Sequence, residues 1–286
     1  MVGDESAGTS QRSFGRLRAH WEIERELASR LRAASREERS TLYGEVYDEL
    51  FRRVPDHPQL VRKVSPVDQQ AAVAEQETLV KRFLPPGGVF LEVGAGDCAL
   101  SFAVARFAGR VYAIEVSRKI AQAHSEPGNF ELLITDGREI PVPLGSVDLA
   151  YSNQLMEHLH PEDAAEQLHN IGLALRPGGR YICLTPNRLL GPSDISQYFE
   201  DEVASGFHLR EYSARELRDL CREAGFSAVS EIASLRGRAW AAPLTPFAAA
   251  EAVFEAFPRR ARLRLKRIKL VRKLISPGGG IIAIKP

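Results

Sequence analysis

Cysteine is scarce in this chain: three residues among 286, at positions 98, 183 and 221. Their scattered spacing excludes a disulfide framework and a cysteine metal site, and it suits reduced thiols in a cytoplasm. Charge of one sign is not in excess either. Lys and Arg number 38 against 37 Asp and Glu, a formal net charge of +1. Nothing global therefore drives the chain toward nucleic acid. No apolar run reaches the roughly 18 residues of a membrane span. Residues 1–13, MVGDESAGTSQRS, lack the apolar centre of a secretory signal and read as a disordered lead-in. What remains is 44% hydrophobic, enough to bury one large core, with or without an appendage.

The most telling segment is VFLEVGAGD at 89–97. Val89, Phe90, Leu91 and Val93 read as a buried strand. Gly94, Ala95 and Gly96 then form a tight turn that a ligand can approach without a Cβ in the way. Glu92 puts a carboxylate at that turn, so the ligand should carry positive charge nearby. A second acid, Glu115, followed by Val116, ends the next apolar run, 21 residues after Gly94. That is close to the spacing of about 20 expected for an acid on a ribose diol. Gly94, Gly96 and Ala99 also satisfy the loose dinucleotide pattern. Glu92 discriminates: a pyrophosphate would be repelled by it, whereas an ammonium would be attracted. A plain strand-to-helix turn is the bland alternative, disfavoured by two acids at the right spacing.

Three further strands follow. The third ends in Asp136 and Gly137, where Asp136 can accept from an adenine amino group. The fourth, SVDLAYSN, ends at Asn153, and LRPGGR leads into the fifth, YICLT. With LEVGAGD, YAIEVS, TDG, SVDLAYSNQLMEHL and LRPGGRYICLTPN in this order, the chain resembles the class I S-adenosylmethionine-dependent methyltransferases. It is most similar to small-molecule enzymes of the ubiquinone-biosynthesis type. The resemblance covers roughly residues 85–235. It implies a Rossmann-like, doubly wound seven-stranded sheet whose last strand is antiparallel beside the fifth. It implies S-adenosylmethionine as cofactor, held by Glu92, Gly94, Ala95, Gly96, Glu115, Val116, Asp136, Gly137 and Asn153. Cys98 stands where the family often has a third glycine.

Around this core, residues 14–53 read as helical, with a break at Ser40-Thr41, and another helix is expected over 65–83. Residues 14–84 thus form an N-terminal helical cap ahead of a methyltransferase domain at 85–286. Ser213 and Glu216 predict a capping box for a helix at 214–224, ended by Gly225. The sixth strand is expected at 226–235 and the last at 280–285. Between them, 238–278 is a helical insertion leaving the sheet at its ligand-binding edge.

Methyl transfer from a sulfonium needs alignment, exclusion of water and often removal of one proton. The acceptor is expected to be a small molecule, with oxygen ahead of nitrogen or carbon. Histidine suits the base role. His158 and His208 are the candidates, each also open to a structural hydrogen-bonding role. In the family the Glu-His pair after the fourth strand lies near the methyl donor, which here is Glu157-His158. Some relatives bind a metal through E-x-x-E-H, but the first acid is Gln154 here, so no metal is expected. Asn187, Arg188, Tyr198, Arg210 and Tyr212 are candidate substrate contacts, as are Trp240 and Phe247 at the start of the insertion. Internal loop bonding is the competing reading.

Residues 259–273 carry nine Arg or Lys and no acid, interleaved with Leu, Ile and Val. This reads as an amphipathic helix with a solvated basic face, or as a membrane-surface contact. The run has no aromatic residue, which argues against base stacking and a nucleic-acid partner. Two other classes stay open: an NAD-dependent oxidoreductase, and a non-catalytic S-adenosylmethionine-binding protein.

Overall fold

A computed structural model of the chain describes residues 13–57, 60, 66–117, 127–199, 201, 203–235 and 238–286. The expected lead-in lies outside these, apart from Ser13. Five apolar runs form parallel strands: β1 (Val89–Val93), β2 (Arg110–Glu115), β3 (Phe130–Ile134), β4 (Val147–Asn153) and β5 (Leu175–Leu184). β6 (Ala228–Leu235), β7 (Arg238–Pro243) and β8 (Gly280–Ile284) complete one sheet, in the order β3-β2-β1-β4-β5-β8-β6-β7. β8 lies antiparallel between β5 and β6, as the last strand was expected to. The sheet has eight strands rather than seven. The extra one, β7, pairs antiparallel with β6 at the edge. One face of an edge strand is wet and one side unpaired, so RAWAAP shows little of the alternation that marks a strand.

The two faces of β1 follow from its alternation. Leu91 and Val93 join a core with α1 (Phe14–Ala33), α2 (Arg36–Arg53), α5 (Pro161–Ala174) and α6 (Ala214–Glu223). Phe90 joins the opposite core, with Val80 of α3 (Pro66–Phe83) and Leu100 and Val104 of α4 (Ala99–Ala105). Leu27, Leu31 and Val46 of α1 and α2 are fully buried. Each such side chain contributes about 1.5–3 kcal/mol.

The break between α1 and α2 falls at Ala34-Ser35, not at Ser40-Thr41. Ser35 caps α2 in a box with Glu38, each side chain bonding the other's backbone N–H. The hydroxyls of Ser40 and Thr41 instead turn back onto the carbonyls of Glu37 and Glu38. That bond lets both sit inside a helix. α2 is fastened to α5 by a buried ion pair. Arg39 donates to Asp163 through Nε at 2.6 Å and Nη2 at 3.0 Å, and Tyr43 donates to the same carboxylate at 2.7 Å.

The insertion comprises β7, α7 (Leu244–Ala256), α8 (Arg259–Leu265) and α9 (Lys269–Ile275). Phe254 and Ile275 bury Leu189 of the segment after β5. Glu251 of α7 accepts from the Ala214 N–H at 2.8 Å, at the start of α6. The Ser213–Glu216 capping box forms as its residues require.

Candidate active site

β1 delivers the chain into a turn that folds back on β2. The N–H groups of Gly94 and Ala95 both donate to the Ile114 carbonyl, at 2.9 and 3.0 Å. Gly94 has φ +74° and Gly96 φ +56°, conformations that suit glycine. A Cβ on Gly96 would enter open space, so the turn has a free face for a ligand. Cys98 adopts φ 60° without being glycine, and it is buried. Glu115 accepts from the N–H groups of Gly96 and Val116, each at 2.8 Å. Glu92 lies behind the turn rather than at its mouth. It is buried and accepts from Ser101 Oγ of α4 at 2.5 Å. Burial pushes its carboxyl up to about 8, and the charges of Asp97 and Glu115 add to the shift despite the Ser101 bond. Three carboxyl groups, those of Glu92, Asp97 and Glu115, thus lie around one turn.

Asp136 is engaged within its own turn. Its Oδ1 accepts from the N–H groups of Arg138 and Glu139, and its Oδ2 from the Arg138 guanidinium. Burial raises its pKa, but these bonds outweigh burial and lower it overall. Short acids after a strand readily close such turns. Gly137 has φ +86°, and a Cβ there would lie 3.2 Å from Val116. Asn153 ends β4, half-buried. Helix α2 covers this rim: a Cβ on Gly44 would meet the Val116 carbonyl at 3.6 Å.

Beyond β4 the chain makes one tight turn, Met156–His158. Glu157 is fully buried; its Oε2 accepts from Thr185 Oγ1 at 2.9 Å, and its Oε1 has no hydrogen-bond partner among the described residues. Burial raises its carboxyl to about 7, with the His208 charge opposing. His158 and His208 are both buried, with ring centroids 4.8 Å apart and edge to face. They are driven in opposite directions. Burial, aided by the charge on His208, lowers His158 to about 3, so its ring is neutral. His208 is raised to about 9: burial opposes its charge, but the bond to Glu211 at 2.8 Å and the charges of Glu157 and Asp194 outweigh it. His158 Nδ1 lies 3.1 Å from the Phe207 carbonyl. In the neutral ring that nitrogen carries the proton, which leaves Nε2 as an acceptor.

Sequence reasoning missed the other side of this buried cluster, supplied by α1, α2 and His57. His20 Nε2 lies 2.7 Å from Glu24 Oε1, and His57 Nε2 lies 3.5 Å from it. Glu24 Oε2 accepts from the Phe207 N–H at 3.0 Å. Phe207 thus links this cluster to His158. The Tyr47 ring lies 4.9 Å from that of Phe207 and 6.2 Å from that of His158. Its hydroxyl pKa is raised well above normal by burial, then by the charges of Glu115 and Glu157. Tyr47 therefore stands between the glycine turn and the Met156–His158 turn. The available signal was the pair Tyr43 and Tyr47, one helical turn apart in a helix otherwise rich in charge. Potential ligand atoms of His20, Glu24 and His57 lie within 4.8 Å of one another, as do those of Glu157, His158 and His208. His169, on α5, is exposed.

Most expected substrate contacts are committed elsewhere. Asn187 donates to Glu251 at 2.7 Å, and Arg188 bonds Glu216 and Glu255, each at 2.9 Å. These tie the segment after β5 to α6 and α7. Arg210 stacks over Tyr212 and reaches Glu216, and Tyr212 is buried beside Ala214. Tyr198 is half-buried at the end of a short turn, Ile195–Tyr198. Trp240 does not wall the pocket. It is 41% exposed on β7, four strand spacings from β4, or about 19 Å. Phe247 is half-buried on α7, which packs on α6, α9 and β6 rather than on the cap. The insertion does reach the ligand edge, but through Glu251, Phe254 and Lys266, whose Nζ donates to the Gly191 carbonyl at 2.9 Å.

Known proteins of similar sequence and fold point to the family. A family model described as a methyltransferase domain matches residues 68–231, more than half of the chain. A protein of Mycolicibacterium smegmatis named a probable S-adenosylmethionine-dependent methyltransferase is 30% identical over 149 residues. That match covers 51% of this chain and 55% of the relative. A protein of Mycobacterium tuberculosis with the same description is 31% identical over 138 residues, 48% of this chain and 47% of its own length. The chain thus spans about half the length of the curated relatives it matches. In fold it is similar to a chain of the complex between the Haloferax volcanii Trm112 methyltransferase activator and its methyltransferase. The TM-score is 0.50 at 18% identity, over 77% of this chain and 91% of that one. The glycine turn ringed by acids, the sheet with its antiparallel last strand and the matched domain lead to one conclusion: the chain belongs to the class I S-adenosylmethionine-dependent methyltransferases, and S-adenosylmethionine is its cofactor.

Proposed function

We propose that this chain methylates an oxygen of a small-molecule acceptor, with His158 as general base. The observation that carries the reading is the buried histidine pair, 4.8 Å apart, with His158 held neutral and His208 held charged. Gly94, Ala95 and Gly96 would cradle the cofactor, with Glu115, Val116 and Asn153 beside it and Glu92 behind. Bound there, it supplies a methyl group already activated by positive sulfur. The protein's own work is then alignment and proton handling. His158 Nε2 takes the hydroxyl proton as the acceptor oxygen becomes nucleophilic. The His208 imidazolium stabilises the developing oxyanion. Tyr47 and Phe207 keep water out. The low pKa of His158 makes it a weak base, and His208 offsets this by favouring the deprotonated acceptor. The reading suits phenolic or enolic hydroxyls, whose protons leave most easily. An NAD-dependent reaction is disfavoured, because the acids Asp97 and Glu115 flank the turn where a pyrophosphate would lie.

The test is methyl transfer from S-adenosylmethionine to a panel of phenols, enols, alcohols and amines, followed by mass spectrometry. His158→Ala should lower turnover about 10²–10⁴-fold with cofactor affinity nearly intact. A loss below tenfold would remove His158 from the base role. Cofactor binding without turnover on any acceptor would favour a non-catalytic binding protein.

A further inference from the structure

The outer surface of the insertion is unlike the rest of the molecule. Nine Arg and Lys fall between 259 and 273, and no Asp or Glu occurs from 256 to 286. Arg260, Arg262, Arg264, Arg267, Lys269, Arg272 and Lys273 form no ion pair with any described residue. Elsewhere, surface arginines are mostly matched, as Arg30 with Glu49 and Arg36 with Glu166. The same stretch also exposes apolar side chains. Among the described residues eleven large hydrophobic side chains are exposed, and six of them lie between 253 and 274. They are Val253, Phe257, Leu263, Ile268, Leu270 and Leu274.

α9 shows the pattern most plainly. Val271 and Ile275 face inward against Leu189 and Leu190. Leu270 and Leu274, one helical turn apart, face outward at 67% and 49% exposure, with Lys269, Arg272 and Lys273 around them. A solvated helix would place polar residues on that outer face. Nucleic acid would satisfy the arginines and leave the leucines in water. An acidic protein partner could meet both, but it would have to match alternating charge and apolar residues along some 20 positions. An anionic bilayer offers phosphates in one plane and hydrocarbon just beneath, which is the arrangement of these side chains. No helix of the described residues is long and apolar enough to cross a membrane, so contact would be with its surface.

We propose that residues 253–274 seat the protein on an anionic phospholipid surface. The guanidinium groups pair with lipid phosphates, and Phe257, Leu263, Ile268, Leu270 and Leu274 enter the headgroup boundary. Lys266 and Ile275 hold this seat to the segment after β5, so the ligand edge of the sheet comes to lie beside the bilayer.

The test is sedimentation of the full-length chain with vesicles. With equal parts phosphatidylglycerol and phosphatidylcholine the bound fraction should be high at 0.1 M salt and fall steeply by 0.5 M. Pure phosphatidylcholine should bind at least tenfold more weakly. A quadruple variant, Arg264→Glu, Arg267→Glu, Lys269→Glu and Arg272→Glu, should lose binding. The variant Leu263→Ser, Ile268→Ser, Leu270→Ser and Leu274→Ser should lose at least tenfold. All eight side chains point away from the core, and S-adenosylmethionine affinity serves as the check that both variants fold. A Phe257→Trp reporter should shift to shorter emission wavelength on the anionic vesicles. Equal binding to both vesicle types, unchanged binding by either variant, or tight binding to DNA or RNA with none to vesicles would overturn the proposal.

Discussion

The turn after β1 and the pocket beneath α1 and α2 both bury carboxyl groups, and they treat them in opposite ways. At the turn, Glu92 has Asp97 and Glu115 for neighbours, so burial and like charge raise its pKa to about 8. In the pocket, Glu24 faces His20 and His57, and Glu211 faces His208. Burial again opposes the charge on Glu24, but the two histidines outweigh it and lower its pKa. The charges that act on Glu92 are of its own sign, whereas in the pocket acids and histidines face one another. In the proposed reaction that difference separates the tasks: a cationic cofactor suits the turn, and the pocket handles the proton.

The pocket side depends on α2 staying in place, so cutting its fastening should have the largest effect on stability. Arg39→Met removes the guanidinium from a carboxylate, Asp163, that has no solvent exposure. Breaking a buried pair from one side costs about 3–5 kcal/mol. Urea unfolding should show that loss. A change below about 1 kcal/mol would mean that Tyr43 and apolar packing hold α2 without the ion pair.

Next is the charge on His208. Its folded pKa is raised to about 9, from an ordinary value of about 6.5. Its stabilisation is therefore fully present below about pH 6.5 and is lost as pH rises through about 9. The shift corresponds to about 3 kcal/mol. Unfolding free energies measured from pH 6 to 10 should fall by that amount in the wild type relative to His208→Asn. Parallel curves would mean that the Glu211 pair does not hold the proton, and the contrast with the turn would weaken.

The turn makes the opposite prediction, a smaller effect read as protons. Near pH 7 Glu92 is largely protonated in the free protein, because its pKa is raised to about 8. A cationic ligand favours the ionised form, so binding of S-adenosylmethionine should release up to about one proton. Calorimetry in two buffers of different ionisation enthalpy measures this, and Glu92→Gln should abolish it. No dependence on buffer would mean that the ligand charge does not reach Glu92.

The same two regions differ in how much of them could be read from sequence. The turn is contiguous: a buried strand, two glycines and an acid lie within nine residues, and Glu115 ends the adjacent strand. Backbone conformation dictates those residues, so the pattern survives in one dimension. The Ser213–Glu216 box was legible for the same reason. The pocket joins Glu24, Tyr47, Glu157 and His208, which no local rule connects. His158 and His208 stood out because they follow the fourth and fifth strands and histidine titrates near neutrality, but their opposite charges depend on Glu211 and on burial. Asn187 and Arg188 were misread because their partners, Glu251 and Glu255, lie over 60 residues away on α7. Trp240 was misread because an edge strand carries little signal, so its position beyond β6 was hidden. The helix break was misplaced by six residues because serine and threonine can either cap a helix or bond back within it.

The smallest expected effect concerns Cys98, whose φ of 60° is one that most side chains avoid. A non-glycine residue there costs about 1–2 kcal/mol. Cys98→Gly would relieve this, but it would also free the unfolded chain, at a cost of about 0.4–1 kcal/mol, and remove a buried side chain. These terms oppose one another, so stability should change by less than about 1 kcal/mol in either direction. Cofactor affinity should stay within threefold, because the buried thiol belongs to the core with Phe90 and Val104 rather than to the open face at Gly96. A larger loss of affinity in the calorimeter would mean that the thiol shapes that open face. The turn would then be tuned by a side chain, as the pocket is, and not by its backbone and acids alone.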